Sequence, residues 1–261
     1  MNPAAAKRRL CFAHMQKSGG SSAHDFIIRS FRADPSWNDG QYLRIWSKGF
    51  VPSHFDEIRR GERRFVYGHF DPSRLFEAFD GVFFTIARDP VERVISLYNF
   101  CATMDDETLS GITGVRDDPA FTFGTPETYS LATDMISMID VVRDGLSFEN
   151  FIRLPERLFL GLESWSDYLA YLPKRGNPTE YASRFALIGL SDDMAWTLSE
   201  LALLMGWPAP SSTPHVNRTP RNNVTRADLT VEDVAIIEGR TQFETTVWNI
   251  ARARRRALAT E

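Results

Sequence analysis

The sequence has few cysteines, no excess of positive charge and no long apolar run. Cys11 and Cys101 are its only cysteines, so we expect buried thiols in a reduced, cytoplasmic setting, not a disulfide framework. Basic residues number 30 against 34 acidic ones, for a net charge of −4, which argues against nucleic acid or an anionic membrane as a partner. The apolar stretch after Lys7 is broken by His14 and Gln16, so we expect neither a signal peptide nor a membrane span.

What the chain does have is enough apolar sequence for a large core. It contains 261 residues, of which 43% are hydrophobic, and this is compatible with one α/β domain over residues 1–261. Short apolar runs near residues 10, 65, 83 and 186 indicate strands, and helical patterns lie between them. We therefore predict a central, mainly parallel sheet flanked by helices on both faces.

Residues 82–98 predict a buried strand that leads into a capped helix. The first six residues are apolar, β-branched or aromatic, and the next ones include Asp89 as an N-cap and Pro90 at the first helical position. Glu92 lies where it can complete a capping box. A joint of this kind presents backbone N–H groups and the positive end of a helix dipole at the sheet edge, where α/β proteins commonly bind anions.

A polar loop with two glycines follows the first predicted strand. Gly19 and Gly20 would let the backbone approach an anion, the following helix would supply N–H donors, and Lys17 would supply a positive charge. The lysine precedes the glycines, which distinguishes the loop from Gly-x-x-x-x-Gly-Lys-Ser/Thr. The alternative is a flexible polar loop without a ligand.

A histidine follows the strand predicted near residue 65. His69 comes directly after Gly68, and at the carboxyl end of a strand it would face the same crevice as the two anion-binding segments. Its ordinary pKa of about 6.5 suits a general base. The alternative is a structural histidine, in which case the base would be His14, His54 or an acidic residue of the 102–118 loop.

Two of these segments resemble one family. Residues 88–98, Arg-Asp-Pro-Val-Glu-Arg-Val-Ile-Ser-Leu-Tyr, are similar to the 3′-phosphate-binding segment of sulfotransferases that use 3′-phosphoadenosine 5′-phosphosulfate (PAPS). The branch includes heparan sulfate 2-O-sulfotransferases and many bacterial relatives. Residues 16–22 resemble the Pro-Lys-Thr-Gly-Gly-Thr-Ser loop of that family, with Gln16 replacing the proline and Ser18 the threonine. The motifs occur in the family's order, about 70 residues apart, with a Gly-His pair between them.

The resemblance, which spans residues 10 to about 221, implies a P-loop-like three-layer sandwich that transfers a sulfuryl group from PAPS to an acceptor hydroxyl or amine. His69 would be the catalytic base, and Lys17 would assist the leaving group. The residues implied in binding PAPS, and its product adenosine 3′,5′-bisphosphate, are Lys17, Ser18, Gly19, Gly20, Ser21, Ser22, Arg88, Ser96 and Arg218. No metal is required by these motifs. For Arg88 the alternative is a surface ion pair, and for Ser96 a solvent-facing position. Arg218 and the weaker candidate Arg221 could also be part of a solvated basic loop.

The acceptor is not specified by the sequence. Residues 102–145 are turn-rich and acidic and predict either a lid or acceptor-binding insertion or a mobile loop without such a role. Their charge argues against a highly sulfated acceptor, while glycans, lipid head groups and small metabolites stay open. Two other classes remain: a P-loop-type nucleotide-dependent kinase, which would place its lysine after the glycines, and a non-catalytic nucleotide- or glycan-binding protein.

Three further patterns concern structure alone. Residues 32–62 contain many turn signals and predict irregular structure, with aromatic residues in the core or in an acceptor groove. Met194 to Met205 follow helical spacing before Gly206. Thr230 predicts the cap of one long final helix, whose basic end suits the negative helix terminus.

Overall fold

A parallel sheet forms the centre of the protein. The computed structural model describes residues 8–45, 52–68, 72–107, 139–154, 177–212 and 223–258. The five strands run parallel in the order β2-β3-β1-β4-β5. They are β1 Leu10–Ala13, β2 Tyr42–Ile45, β3 Phe65–Gly68, β4 Val82–Ala87 and β5 Leu187–Leu190.

Eight α-helices lie entirely within these described ranges. They are α1 Gly20–Arg32, α2 Pro52–Arg59, α3 Pro90–Ala102, α4 Phe148–Ile152, α5 Pro178–Ser183, α6 Met194–Met205, α7 Val231–Arg240 and α8 Gln242–Leu258. Single 3-10 turns occur at Asp39–Gln41, Pro72–Leu75, Ser191–Asp193 and Arg226–Asp228. In this part of the chain, no helix is long and apolar enough to cross a membrane.

Alternate strand residues pack on opposite faces of the sheet, as the period of a strand requires. Phe12, Phe65 and Phe84 pack in one core cluster with side chains of α1 and α6. Cys11, Val66 and Phe83 pack in another with side chains of α2, α5 and α8. The protein is therefore an α/β sandwich of three layers, as predicted, and both cysteines are buried free thiols.

The four strands predicted from apolar runs are confirmed, but β2 is a strand that the sequence interpretation missed. It lies within the segment predicted to be irregular, and it pairs with β3 through only four residues at the edge of the sheet. An edge strand is paired with a neighbour on one side only, so the exposed Arg44 is tolerated between Leu43 and Ile45. The apolar run is therefore short. The turn residues before and after β2 therefore dominated the sequence pattern of this segment.

The prediction of one long final helix is wrong, because α7 and α8 are separate helices with Thr241 between them. Thr230 does cap α7, through its hydroxyl and the backbone of Asp233. Thr241 leaves the helical conformation, with φ −114° and ψ 27°. Its hydroxyl and its N–H group both donate to the carbonyl of Ile237, which closes the last turn of α7.

The connections from β1 and β4 run in opposite directions across the sheet. The chain after β1 goes to β2 and β3 on one side, whereas the chain after β4 goes to β5 on the other. Parallel sheets bind ligands at such a reversal, outside the carboxyl ends of the strands. The loop between β1 and α1, which contains Lys17 and is called the Lys17 loop, follows the first of these strands. Arg88 directly follows β4.

Candidate anion-binding site

The loop after β1 enters α1 through strained backbone. Lys17 has φ 60°, the only positive value for a non-glycine residue among those described, and Gly19 has φ 80° at the N-cap. A side chain at such φ costs conformational energy, so the fold holds Lys17 there through other contacts. No side chain caps α1, and its first turn contains no acidic residue. This helix end is therefore open to an external anion.

The two glycines make room for protein side chains. A Cβ on Gly19 would lie 2.6 Å from Cε of Met194, and a Cβ on Gly20 would overlap the ring of His14. The sequence interpretation assigned both glycines to close approach of an anion. In the structure the space beside each α-carbon is filled from within the protein.

The ammonium of Lys17 lies on an aromatic ring. Its Nζ is 4.0 Å from the ring centre of Phe100 in α3. Among the described residues no carboxylate forms an ion pair with it. Burial lowers the pKa of Lys17 from 10.5 to about 8, with the positive charge of Arg88 acting in the same direction and Cys101 opposing it. A half-buried cation without a carboxylate is what an anion site requires.

Arg88 connects the two predicted anion-binding segments. Its Nη1 donates to the carbonyl oxygen of Lys17 at 2.8 Å, across 71 residues of sequence. Its Nη2 is 3.9 Å from the carboxylate of Glu92. Burial lowers the pKa of Arg88, while the carboxylates of Glu92, Asp89 and Asp192 counteract that effect. The guanidinium is thus only loosely paired and faces the Lys17 loop.

The N-terminus of α3 is already occupied. The carboxylate of Asp89 accepts from the N–H groups of Val91 and Glu92, at 2.9 and 3.1 Å. Its other oxygen is 3.0 Å from Arg226. Asp89 is therefore the cap that the sequence predicted, but it fills the N–H groups that were expected to face an anion. Glu92 lies towards Arg88, away from a capping-box position.

Ser96 lies on the face of α3 that borders the loop. Glu92, Ser96 and Phe100 are four residues apart and all partly exposed, so they form one stripe along the helix. Glu92 contacts Arg88 at one end, and Phe100 contacts Lys17 at the other. Ser96 is between them, beside the same loop. Phe100 was not singled out from the sequence, although its helical spacing from Ser96 would have identified it.

The loop serines differ in their exposure. Ser18 is fully buried, and its hydroxyl lies 3.5 Å from the carbonyl of Gln16. Ser22 is also buried, whereas Ser21 is partly exposed. Ser21 is therefore the hydroxyl of this loop that is most accessible to a ligand.

His69, Arg218 and Arg221 lie outside the described residues, but the chain next to them is described. The carbonyl of Gly68 accepts from the N–H of His14 at 2.8 Å, so β3 ends beside the Lys17 loop. Asn99 of α3 exchanges two hydrogen bonds with the backbone of Val224. The segment that follows residue 222 is thus attached to the same helix that carries Ser96.

The weaker histidine candidates have local explanations. His14 is only 8% exposed, and its Nδ1 is 2.9 Å from the hydroxyl of Tyr67. Burial lowers the pKa of His54, which lies in α2. Within the described ranges, no three His, Cys, Asp or Glu side chains converge as a metal site would need.

Neither a protein-family model nor a curated protein matches this chain.

Proposed function

We propose that this chain is a P-loop-like sulfotransferase that transfers a sulfuryl group from PAPS to an acceptor hydroxyl. The observation that carries the proposal is the hydrogen bond from Arg88 to Lys17. It joins the two segments that resemble the 5′-phosphosulfate and 3′-phosphate motifs at one sheet edge. The ammonium of Lys17, with which no carboxylate of the described residues forms an ion pair, and the uncapped N-terminus of α1 support an anionic ligand there.

Each residue has a defined part in the proposed reaction. The acceptor oxygen attacks sulfur, the bond from sulfur to the phosphate oxygen breaks, and the electron pair leaves with adenosine 3′,5′-bisphosphate. Lys17 neutralises charge that grows on that oxygen, and His69 takes the acceptor's proton. Arg88 and Ser96 hold the 3′-phosphate, and the 16–22 loop holds the 5′ end. Positioning and electrostatics carry most of the rate enhancement, as in phosphoryl transfer.

Arg218 has an auxiliary part in this proposal. It would help enclose the nucleotide from the loop that ends beside α3, where Asn99 holds Val224. The acceptor would approach from the carboxyl ends of β2 and β3, because α3 borders the other side of the loop. Whether it is a glycan, a lipid head group or a small metabolite is decided by a screen with labelled donor.

The proposal is tested first by ligand preference. We expect adenosine 3′,5′-bisphosphate to raise the melting temperature more than ATP with magnesium does, because the bisphosphate is the nucleotide that the proposed site binds. A ligand present at about 100 times its Kd adds about 2.7 kcal/mol of stability to the folded state. Equal stabilisation, or a preference for ATP with magnesium, would contradict the proposal and favour the kinase. Binding of the bisphosphate without turnover of any acceptor in the screen would favour a binding protein.

A further inference from the structure

We infer that His14 and Tyr67 form a buried pair that positions the first turn of α1, and with it the N–H groups that face the anion. The inference rests on the proposed function for its ligand, but its structural basis is independent of that ligand. Neither residue contacts the bound nucleotide in this proposal. Both act through the backbone of Gly20.

The first observation is the contact between His14 and α1. A Cβ on Gly20 would overlap the imidazole, so the ring lies directly against the backbone of the first helical residue. Gly20 is buried and His14 is 8% exposed. Any movement of the ring would therefore move the start of the helix or leave a void beside it.

The second observation is how the ring is held. Nδ1 of His14 is 2.9 Å from the hydroxyl of Tyr67, and the two rings stack with centres 5.5 Å apart. Tyr67 belongs to β3 and is 5% exposed. Burial raises the pKa of Tyr67, so its hydroxyl keeps its proton. The main chain adds a bond from the N–H of His14 to Gly68. The sheet thus fixes the ring, and the ring fixes the helix start.

A second histidine-tyrosine pair provides a matched control. Nε2 of His24 is 2.8 Å from the hydroxyl of Tyr42, and His24 lies in α1 one turn beyond Gly20. Both tyrosines come from neighbouring strands and both bond a histidine. Only the pair of His14 and Tyr67 contacts the first residue of the helix. Tyr67 is buried whereas Tyr42 is partly exposed, so loss of the Tyr67 hydroxyl should cost more stability, and only its loss should affect ligand binding.

The decisive experiment compares Tyr67→Phe with Tyr42→Phe. We expect Tyr67→Phe to raise the Kd for adenosine 3′,5′-bisphosphate about fivefold, and Tyr42→Phe to change it less than about twofold. The melting temperature should fall more in Tyr67→Phe than in Tyr42→Phe, so hydrogen exchange of the first-turn amides is measured as well to separate positioning from general stability. Equal changes in Kd for both variants, or none for Tyr67→Phe, would overturn the inference.

A size exchange tests the contact itself. Gly20→Ala should strongly lower the melting temperature and the affinity, because its methyl group overlaps the imidazole. The double variant His14→Ala with Gly20→Ala should recover a large part of the lost melting temperature, whereas its affinity should return only to that of His14→Ala, which lacks the positioning ring. If the glycine instead serves only close approach of the ligand, the double variant will not recover affinity. A Gly20→Ala variant with unchanged melting temperature would also exclude the contact.

Failure of the proposed function would be seen separately. If wild type does not bind the bisphosphate, the sulfotransferase proposal fails, and hydrogen exchange then decides the inference. The amides of Ser22 and Ala23 donate to the carbonyl of Gly19, so they report the order of the first turn. They should exchange faster in Tyr67→Phe than in Tyr42→Phe. Equal rates would overturn the positioning role.

Discussion

After β1 the chain enters α1 through Gly19, which has no side chain to cap the helix, whereas after β4 it enters α3 through Asp89, whose carboxylate bonds Val91 and Glu92. The two strand-to-helix turns lie side by side at one edge of the sheet, and both had been expected to bind an anion through the helix end. Only the first has an open helix end. In the proposed function, the second would bind an anion through the side chains of Arg88 and Ser96, because Asp89 fills its N–H groups.

The difference suggests a division of binding between the two turns. The α1 turn offers backbone donors and the Lys17 ammonium, which suit the charged centre of a reaction. The α3 turn offers a guanidinium and a hydroxyl, which suit recognition of a phosphate at a fixed distance from that centre.

The largest effect is expected at a residue that belongs to neither turn. His69→Ala should lower turnover by roughly 10²- to 10⁴-fold, the range for a lost general base. The Kd for the bisphosphate should stay nearly constant, because the two turns hold the ligand. Activity of wild type should rise through an ionisation in the histidine range, and this limb should be absent from the residual activity of the variant. A variant with normal turnover would remove His69 from the mechanism.

Replacement of Lys17 should act on the α1 turn. Lys17→Met should lower turnover by about 10²- to 10³-fold and weaken bisphosphate binding less, because the charge on the leaving oxygen is greatest in the transition state. Steady-state kinetics together with calorimetric titration measure the two effects. A loss confined to affinity would assign Lys17 to ground-state binding.

The pH dependence provides the control for Lys17. Burial lowers the pKa of Lys17 to about 8, so the ammonium is present below that pH and is lost as the pH rises through it. Wild-type affinity for the bisphosphate should therefore fall above about pH 8. The phosphates are already fully ionised there and do not contribute. The same decline in Lys17→Met would assign the titration to another group.

Replacement of Arg88 should act on the α3 turn and on one end of the ligand. Arg88→Ala should raise the Kd for adenosine 3′,5′-bisphosphate by about 10- to 100-fold, the cost of a lost charge-assisted hydrogen bond. Adenosine 5′-monophosphate lacks the 3′-phosphate, so its affinity should change little. Equal losses for both nucleotides would mean that Arg88 acts by holding the carbonyl of Lys17.

The smallest effect is expected from removing the cap of α3. Asp89→Ala should lower the free energy of unfolding by about 1 kcal/mol, the typical contribution of an N-cap. Asp89→Asn keeps a side-chain acceptor and should lose less, although both variants lose the half-exposed pair with Arg226. Denaturant titration measures the difference. Bisphosphate affinity raised markedly by Asp89→Ala would show that α3 binds an anion once its N–H groups are freed.

The sequence predicted the elements of this site better than their roles. Apolar runs and capping residues located β1, β4 and the start of α3, because strand burial and helix capping are local properties. The same Asp89 that predicted the helix start also fills its anion-binding groups, a conflict that only geometry reveals. From the sequence, Gly19 and Gly20 were interpreted as ligand contacts. The side chains of Met194 and His14 fill the space beside them, and tertiary packing, which the local sequence does not show, brings them there.

Other contacts had no local signal at all. The position of Lys17 on Phe100 depends on how α3 lies against the loop, and neither residue's immediate neighbours specify that. β2 is short and half of its residues are polar, so its sequence alone did not predict that it pairs with β3. Periodicity reports which side of an element is buried, but not which other element covers it.

The buried ion pair between Arg93 and Glu244 has a consequence for the order of folding. Both nitrogen-oxygen contacts are below 3 Å, both side chains are nearly inaccessible, and the residues are 151 positions apart. All five strands lie between residues 10 and 190, so the sheet can pair before α8 is in place. Arg93 would then lack the carboxylate of Glu244, and removing one partner of a buried pair costs about 3–5 kcal/mol. In refolding, recovery of bisphosphate binding should therefore lag behind the far-ultraviolet circular dichroism signal, and simultaneous recovery would show that α3 is ordered without α8.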